Sequence, residues 1–510
     1  MAMGWTAGYR LAVRAVPALA AIAAVAPPAA GCTAGGPAAA SPAAASGAAA
    51  ASGAAASGHW GTAAPVPGLS GRGLNAGGRA AVTSVSCAGA GNCTVGGSYR
   101  DGHGHDQAYV ASERNGRWTT AIEVPGTAGL NGGGEAGVGS VSCPSAGNCA
   151  ISGGYTDSHG HGRVFVASER HNRWGTAIEI PGTARLNAGQ IGDTSVSCAS
   201  AGNCAARGFY TDAQRHTRLF VLTERNGRWR AAVAVPGTVG GVRAGVNSLW
   251  CDSAGNCAAG GAYNDRHGHQ QAFVASERNA RWAAAVDVLR TSGLHAAQAQ
   301  VSSVSCASAG NCAAGGGYDH GHSLLFVASE RNGRWDTAIE VPGIARLNSG
   351  GYPQVSSVSC ASAGNCAAGG WSVDSAHNRR AFVVTERNGR WGTAVGIPGT
   401  RARSWVNAVS CGSAGNCAAD GGYIDSSGSI RPFLASEQDG QWAAVAVPGI
   451  GGLVSGIPGH GGNAEVSPMS CLNGYCLPAA MSCLSSGYCV AGGYYDDYYG
   501  QRQAFVVARR

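Results

Sequence analysis

The sequence predicts an all-β protein, an eight-bladed β-propeller with four-stranded blades, on three observations. Cysteine pairs recur with first members at Cys87, Cys143, Cys198, Cys251, Cys306, Cys360, Cys411 and Cys483, spaced by 51 to 56 residues except for a last gap of 72. A tryptophan keeps the same period at 60, 118, 174, 229, 282, 335, 391 and 442. The order of the two landmarks then splits one unit between the termini. "HWGTAAPVPG" at 59–68 is a Trp half with no cysteine half before it, and 481–510 is a cysteine half with no Trp half after it. A closed ring gives a reason for that split, because the first strand then completes the last module, whereas an open solenoid gives none.

Each unit of about 53 residues reads as four short strands. Over 301–341 these are "VSSVSC", "CAAGGGY", "LLFVASE" and "WDTAIEV". The third and fourth are joined by Asn-Gly between strand formers, a strong hairpin signal, at Asn115-Gly116, Asn226-Gly227, Asn332-Gly333 and Asn388-Gly389, with Asp439-Gly440 as a relative. Small residues fill the first two strands, as crowding around a central channel requires.

The cysteines are read as disulfides because each pair brackets a short link between the first two strands, close enough to face each other across a hairpin. The expected bridges are Cys87–Cys93, Cys143–Cys149, Cys198–Cys204, Cys251–Cys257, Cys306–Cys312, Cys360–Cys366, Cys411–Cys417 and Cys483–Cys489. Each is worth about 2 kcal/mol in the chain-entropy account. Cys471 and Cys476, in "MSCLNGYC", read as a bridged, truncated duplicate of the eighth cysteine step that explains the long last gap. The competing reading is metal, but no further Cys or His recurs at a fixed offset beside the pairs.

The N-terminus carries export features. Arg10 and Arg14 precede an apolar run to Ala30, so 1–31 reads as a lipoprotein-type signal peptide. The run ends "PAAGC", which resembles the lipobox of bacterial lipoproteins and implies lipidation of Cys32, the one cysteine outside the close pairs; Ala29 stands where that motif prefers Leu. The alternative is a plain secretory signal cleaved elsewhere. Residues 32–58, almost all Ala, Ser, Gly and Pro, read as a flexible tether, and 59–510 as the propeller. The expected location is extracytoplasmic, either membrane-anchored by the Cys32 lipid or secreted. All 35 basic residues are Arg, only 12% of the chain is charged, and the net charge of +7 says little by itself.

The "SVSC…NC" step followed by an Ala/Gly-rich strand resembles the cysteine-pair repeats of secreted bacterial propeller-like proteins, most without assigned function. The resemblance implies architecture and export only. "SERNGRW" at 112–118 is similar to the Asp-box of sialidase-type propellers but places Arg114 at the Asp position and Trp118 one residue early, so sialidase activity is not carried over.

A four-strand meander puts its first and third turns on one face and its second loop and crossover on the other. The turn face collects Arg pairs such as Arg114/Arg117, Arg225/Arg228, Arg331/Arg334 and Arg387/Arg390, each partly offset by a preceding Glu (Glu113, Glu224, Glu330, Glu386). Solvated turn charge is the plain reading; orientation toward anionic lipid headgroups is the functional one. The loop face carries Tyr six residues after the second cysteine and Asp two residues later. The candidates are Tyr99 and Asp101, Tyr155 and Asp157, Tyr210 and Asp212, Tyr263 and Asp265, Tyr318, Tyr423 and Asp425, and Tyr495 and Asp497. Four loops add His-x-His: His103/His105, His159/His161, His267/His269 and His320/His322. Three readings stand: Asp capping its own turn while Tyr packs between blades, a glycan or peptide site, or a transition-metal site. The repeated Trp are read as interblade core.

No nucleophile elbow, zinc-protease helix motif or phosphate loop occurs, and no constellation is confined to one blade, so catalytic residues and cofactors are not expected. The most irregular stretch is "YYDDYYG" at 494–500. The expected partner is a cell-envelope glycan or protein, with no nucleic acid, contact with the membrane through the N-terminal lipid only, and a monomeric state. The rival expectation is a secreted carbohydrate-active hydrolase or lyase on the same scaffold.

Overall fold

The computed structural model describes residues 59–509 apart from 71–72, 236–243, 254, 266, 280, 290–293, 295, 297, 401–402, 439, 451–463, 467–470, 473–474, 477–480 and 498. Residues 1–58, to which the expected signal peptide, the expected tether and Cys32 belong, and Asp439 therefore lie outside the described residues. The described chain is nearly all-β and propeller-like, a succession of antiparallel meanders. Among the described residues the helices are single turns, Thr127–Leu130, Thr183–Leu186 and Ile344–Leu347, all within crossovers between meanders.

The second module shows the plan. Ala136–Ser145, Asn148–Thr156 and Gly162–Arg170 pair in order, and Arg173–Trp174 and Ile178–Glu179 add two pieces of a fourth strand. First strands of the other modules are Ala80–Gly89, Ile191–Ser200, Ala244–Ser253, Gln298–Ser308, Gln354–Ser362 and Ser404–Ser413. The single fourth strand expected from the sequence is broken in most modules. The residue in the break gives its N–H to the previous crossover instead: Ala177 to the Pro125 carbonyl, Ala232 to Pro181 and Ala394 to Pro342. The expected Asn-Gly hairpins are present. Asn115 and Gly116 have φ of 50° and 78°, the left-handed pair a type I′ turn demands.

First strands lie against one another, and the serines of "SVSC" are the reason. A first strand has one edge without a ladder partner, and its exposed N–H groups need acceptors. The serine before each first cysteine supplies one to the next module: Ser86 Oγ accepts from Cys143 N at 2.9 Å, Ser142 from Cys198 and Ser197 from Cys251. Ser305, Ser359 and Ser410 do the same for Cys360, Cys411 and Cys483, and Ser482 does it for Cys87 at 3.0 Å. Trp250 stands in the place of this serine in the fourth module.

The core lies between modules. Val138 and Val141 of the second module pack with Val110 and Val124 of the first, around the fully buried Phe165. Gly96 explains the small residues of the second strands: a Cβ there would sit 2.6 Å from Val138 Cγ1 of the next module. The two ends of the chain meet in the same way. Ala64–Pro65 pairs antiparallel with Arg502–Arg509, in register Ala64↔Val506, and Val490 and Val506 join Val66, Val82 and Val95 in one cluster.

The cysteine pairs at Cys87–Cys93, Cys143–Cys149, Cys198–Cys204, Cys251–Cys257, Cys306–Cys312, Cys360–Cys366, Cys411–Cys417 and Cys483–Cys489 are disulfides across the first hairpin. Such bridges persist in an oxidising, extracytoplasmic compartment. Among the described residues no helix is long and apolar enough to cross a membrane. The backbones of Cys471 and Cys476 are cross-strand partners; their side chains, and so the bridge, lie outside what is described. Rather than preceding the last module, this pair interrupts its first strand. Val466 pairs with Gly493, and the ladder resumes only at Met481 with Ala491.

Candidate functional site

On the loop face Asp101, Asp157, Asp212, Asp265, Asp374, Asp425 and Asp497 are each spent on their own loop. Asp101 Oδ1 accepts from the N–H of His103 at 2.8 Å and of His105 at 2.9 Å, while Oδ2 accepts from Gln107 Nε2. Asp157 does the same with His159, His161 and the Arg163 Nε, and Asp265 with His267, His269 and Gln271. Asp212, Asp374, Asp425 and Asp497 repeat the arrangement. The N–H of His161 holds the Asp157 carboxyl well below the usual carboxylate range, and the N–H of Asn378 acts likewise on Asp374.

The tyrosines face inward. Tyr99, Tyr155, Tyr210, Tyr318 and Tyr495 are buried, and Tyr263 and Tyr423 are half-buried. Tyr155 and Tyr318 lie with ring centroids 6.5 and 6.4 Å from Phe165 and Phe326 on their own third strands. Burial pushes both hydroxyls up to about 12. Tyr99 donates to Glu123 Oε2 at 3.0 Å. These contacts are those of the first reading, turn capping by Asp and buried packing by Tyr.

What the loops present to solvent is histidine. His103/His105, His159/His161 and His267/His269 stand side by side with ring centroids 6.4, 6.1 and 6.3 Å apart. At His320/His322 the His320 N–H donates to the His322 carbonyl. Among the described residues no group of three or more His, Cys, Asp or Glu is placed to hold a metal ion.

The turn face is organised by a contact the sequence reading assigned differently. The Glu of each "SER" or "TER" does not offset the arginine beside it. The side chains of Glu169, Glu224, Glu330, Glu386 and Glu437 are 1–2% exposed and receive the arginine of the preceding module: Arg114 to Glu169 at 3.4 Å, Arg170 to Glu224 and Arg278 to Glu330 at 3.2 Å, Arg331 to Glu386 at 3.8 Å, and Arg387 to Glu437 at 3.0 Å. Serines of the preceding module add Ser168 to Glu224 and Ser329 to Glu386 at 2.9 and 2.7 Å. Burial raises the carboxyls of Glu169, Glu277, Glu330 and Glu386, with the neighbouring cation pulling the other way. Period-2 alternation was the available signal. Glu169 is four residues after Phe165 and so shares its buried side.

Both partners change where the seventh module meets the last. Gln438 replaces the clamp arginine and buried Arg509 replaces the glutamate. At the next junction Glu113 accepts from the Tyr488 hydroxyl, 2.9 Å from each carboxylate oxygen. Clefts on this face, such as that lined by Cys93, Arg114, Cys149 and Glu169, have room for about one water molecule.

No family model and no curated protein matches the chain. It is similar in structure to a Hadza microbial sialidase (11% identity, 76% of this chain and 68% of that one, TM-score 0.37). It is also similar to the β-propeller domain of a trilobed protease from Pyrococcus furiosus (8%, 72% and 97%, 0.41) and to a lectin from Burkholderia pseudomallei (13%, 72% and 99%, 0.39). Fold and disulfides together define a disulfide-ribbed, propeller-like repeat protein of an extracytoplasmic compartment.

Proposed function

We propose that the chain is an eight-bladed propeller closed by its N-terminal strand, anchored by lipid at Cys32, and acting as a monomeric binding or scaffold module for a cell-envelope glycan or protein. Closure is supported at three depths. The inner serine contact returns from Ser482 to Cys87, the Ala64–Pro65 strand completes the terminal sheet, and at the outer edge Ala63 donates to the Pro448 carbonyl at 2.9 Å.

The observation that carries the binding reading is the sameness of the loop face. The Asp-capped loop recurs with the same three hydrogen bonds, three of its copies hold a pair of histidines, and the tighter loop at His320/His322 holds a fourth pair. Equivalent weak sites on one rigid face suit a repetitive ligand by avidity. Several carboxylates are committed elsewhere, Asp101 and Asp157 to loop caps and Glu224 and Glu330 to interblade clamps. The rival, a carbohydrate hydrolase or lyase, draws on the irregular last module, where Arg502 lies 3.9 Å over the Tyr494 ring and Tyr499 is exposed.

Binding of the full mature chain to a glycan array and to immobilised envelope fractions tests this. The proposal expects retention that weakens stepwise as the His pairs of successive loops are replaced by Ala. Turnover of a glycan, or complete loss of binding from changes in the last module alone, would support the enzyme instead.

A further inference from the structure

Arg and Glu are balanced along the repeat, but the fold separates them. Glu169, Glu224, Glu330, Glu386 and Glu437 are buried between modules and already matched by the first arginine of the preceding module's turn. The second arginine has no such partner. Arg117, Arg173, Arg228, Arg281, Arg334 and Arg390 occupy the same position after the left-handed turn, and all six are exposed. The position two residues further on carries Arg230 in one module and Asp336 in another, which offset each other. Side chains of Asp252 and Asp439 lie outside those described.

We propose that this turn face docks on the surface of an anionic phospholipid membrane through the six exposed arginines. Three features favour a lipid surface. The charges repeat around a face rather than lining a cleft, and the clefts admit little more than water, so the complement is broad and negative. On the opposite face Asp157 meets Arg163 and Asp425 meets Arg431 of their own loops, so these charges are matched locally, unlike the second arginines of the turns. The chain also enters the fold on the cationic side, where Trp60 bridges to Arg509 at the turn end of the last strand. The inference rests on the extracytoplasmic, closed-ring reading but not on acylation of Cys32.

The test is co-sedimentation of the full chain carrying Cys32→Ser, which removes any lipid, with phosphatidylcholine vesicles with and without phosphatidylglycerol. Binding is expected only with phosphatidylglycerol and is lost as salt is raised. Changing the six arginines to Gln should weaken it at least about 25-fold, the effect of two contacting arginines at roughly fivefold each. Arg185→Gln/Arg346→Gln, on the crossover side, should leave it unchanged, and circular dichroism melts report whether each variant folds. Equal binding of the six-arginine variant, equal binding to neutral vesicles, or capture by soluble polyphosphate but not by phosphatidylglycerol would each overturn the proposal. Failure here with intact glycan retention would leave the loop-face reading standing.

Discussion

The two faces of this molecule are built from the same module yet treat charge in opposite ways. On the turn face the acids are interior and the bases exterior: Glu224 is 1% exposed at its side chain and its partner Arg170 is 45%. On the loop face the acids stay at the rim, as Asp157 does at 18%, and are held by backbone N–H groups of their own loop. A carboxylate stabilised locally is a feature of one loop. A carboxylate stabilised from the preceding module is a feature of the array of modules.

Glu386→Ala should break this contrast most strongly. It removes the buried acceptor of the Ser329 hydroxyl and one partner of Arg331 and is expected to cost about 2 kcal/mol, below the usual figure for a broken buried pair because Arg331 keeps Asp336 at 3.2 Å and is half exposed. Glu386→Gln keeps the shape and should cost less than about 1 kcal/mol, since burial already favours the neutral form. Thermal and urea denaturation measure both. Cys306→Ala/Cys312→Ala should cost about 2 kcal/mol by the same assay. Asp157→Ala should act locally, speeding proteolysis within 158–162 while moving the melting temperature little, because the bonds it removes lie within one loop.

Acid titration sharpens the comparison because the two sets of carboxyls have opposite signs. Asp157 and Asp374 are depressed in the folded state, so their contribution is present above the unfolded value near 4 and is lost as pH falls through the folded one. Glu169, Glu330 and Glu386 are raised, so the folded state holds more protons and stability declines as pH rises from the unfolded value through the folded one. Asn at 157 should flatten the acid limb; Gln at 386 should flatten the decline above it. Denaturation midpoints across pH 2–7 (on the order of the range set by those carboxyl values) read both slopes.

Local signals were legible and neighbour-dependent ones were not. The Asn-Gly hairpins and the cysteine hairpins depend on residues within one turn, so pattern reached them directly. The role of Glu169 depends on Arg114, 55 residues earlier, and the serines of "SVSC" work on the following module. Nothing adjacent in the chain records either partner. Tyr155 was legible as capping-loop furniture or as a ligand contact, and only the burial of its ring separates the two. The interruption of the last first strand between Val466 and Met481 escaped because a repeated cysteine step looks the same whether it precedes a strand or divides it.

Both faces exist only if the modules return on themselves. Spin labels at Thr62→Cys and Gln441→Cys, two exposed positions on either side of the seam, test this directly by dipolar spectroscopy. A narrow distribution at about 10–20 Å, the scale of neighbouring packed sheets, is the expected result; a broad one comparable to the diameter of the molecule would contradict closure and with it the division into two faces.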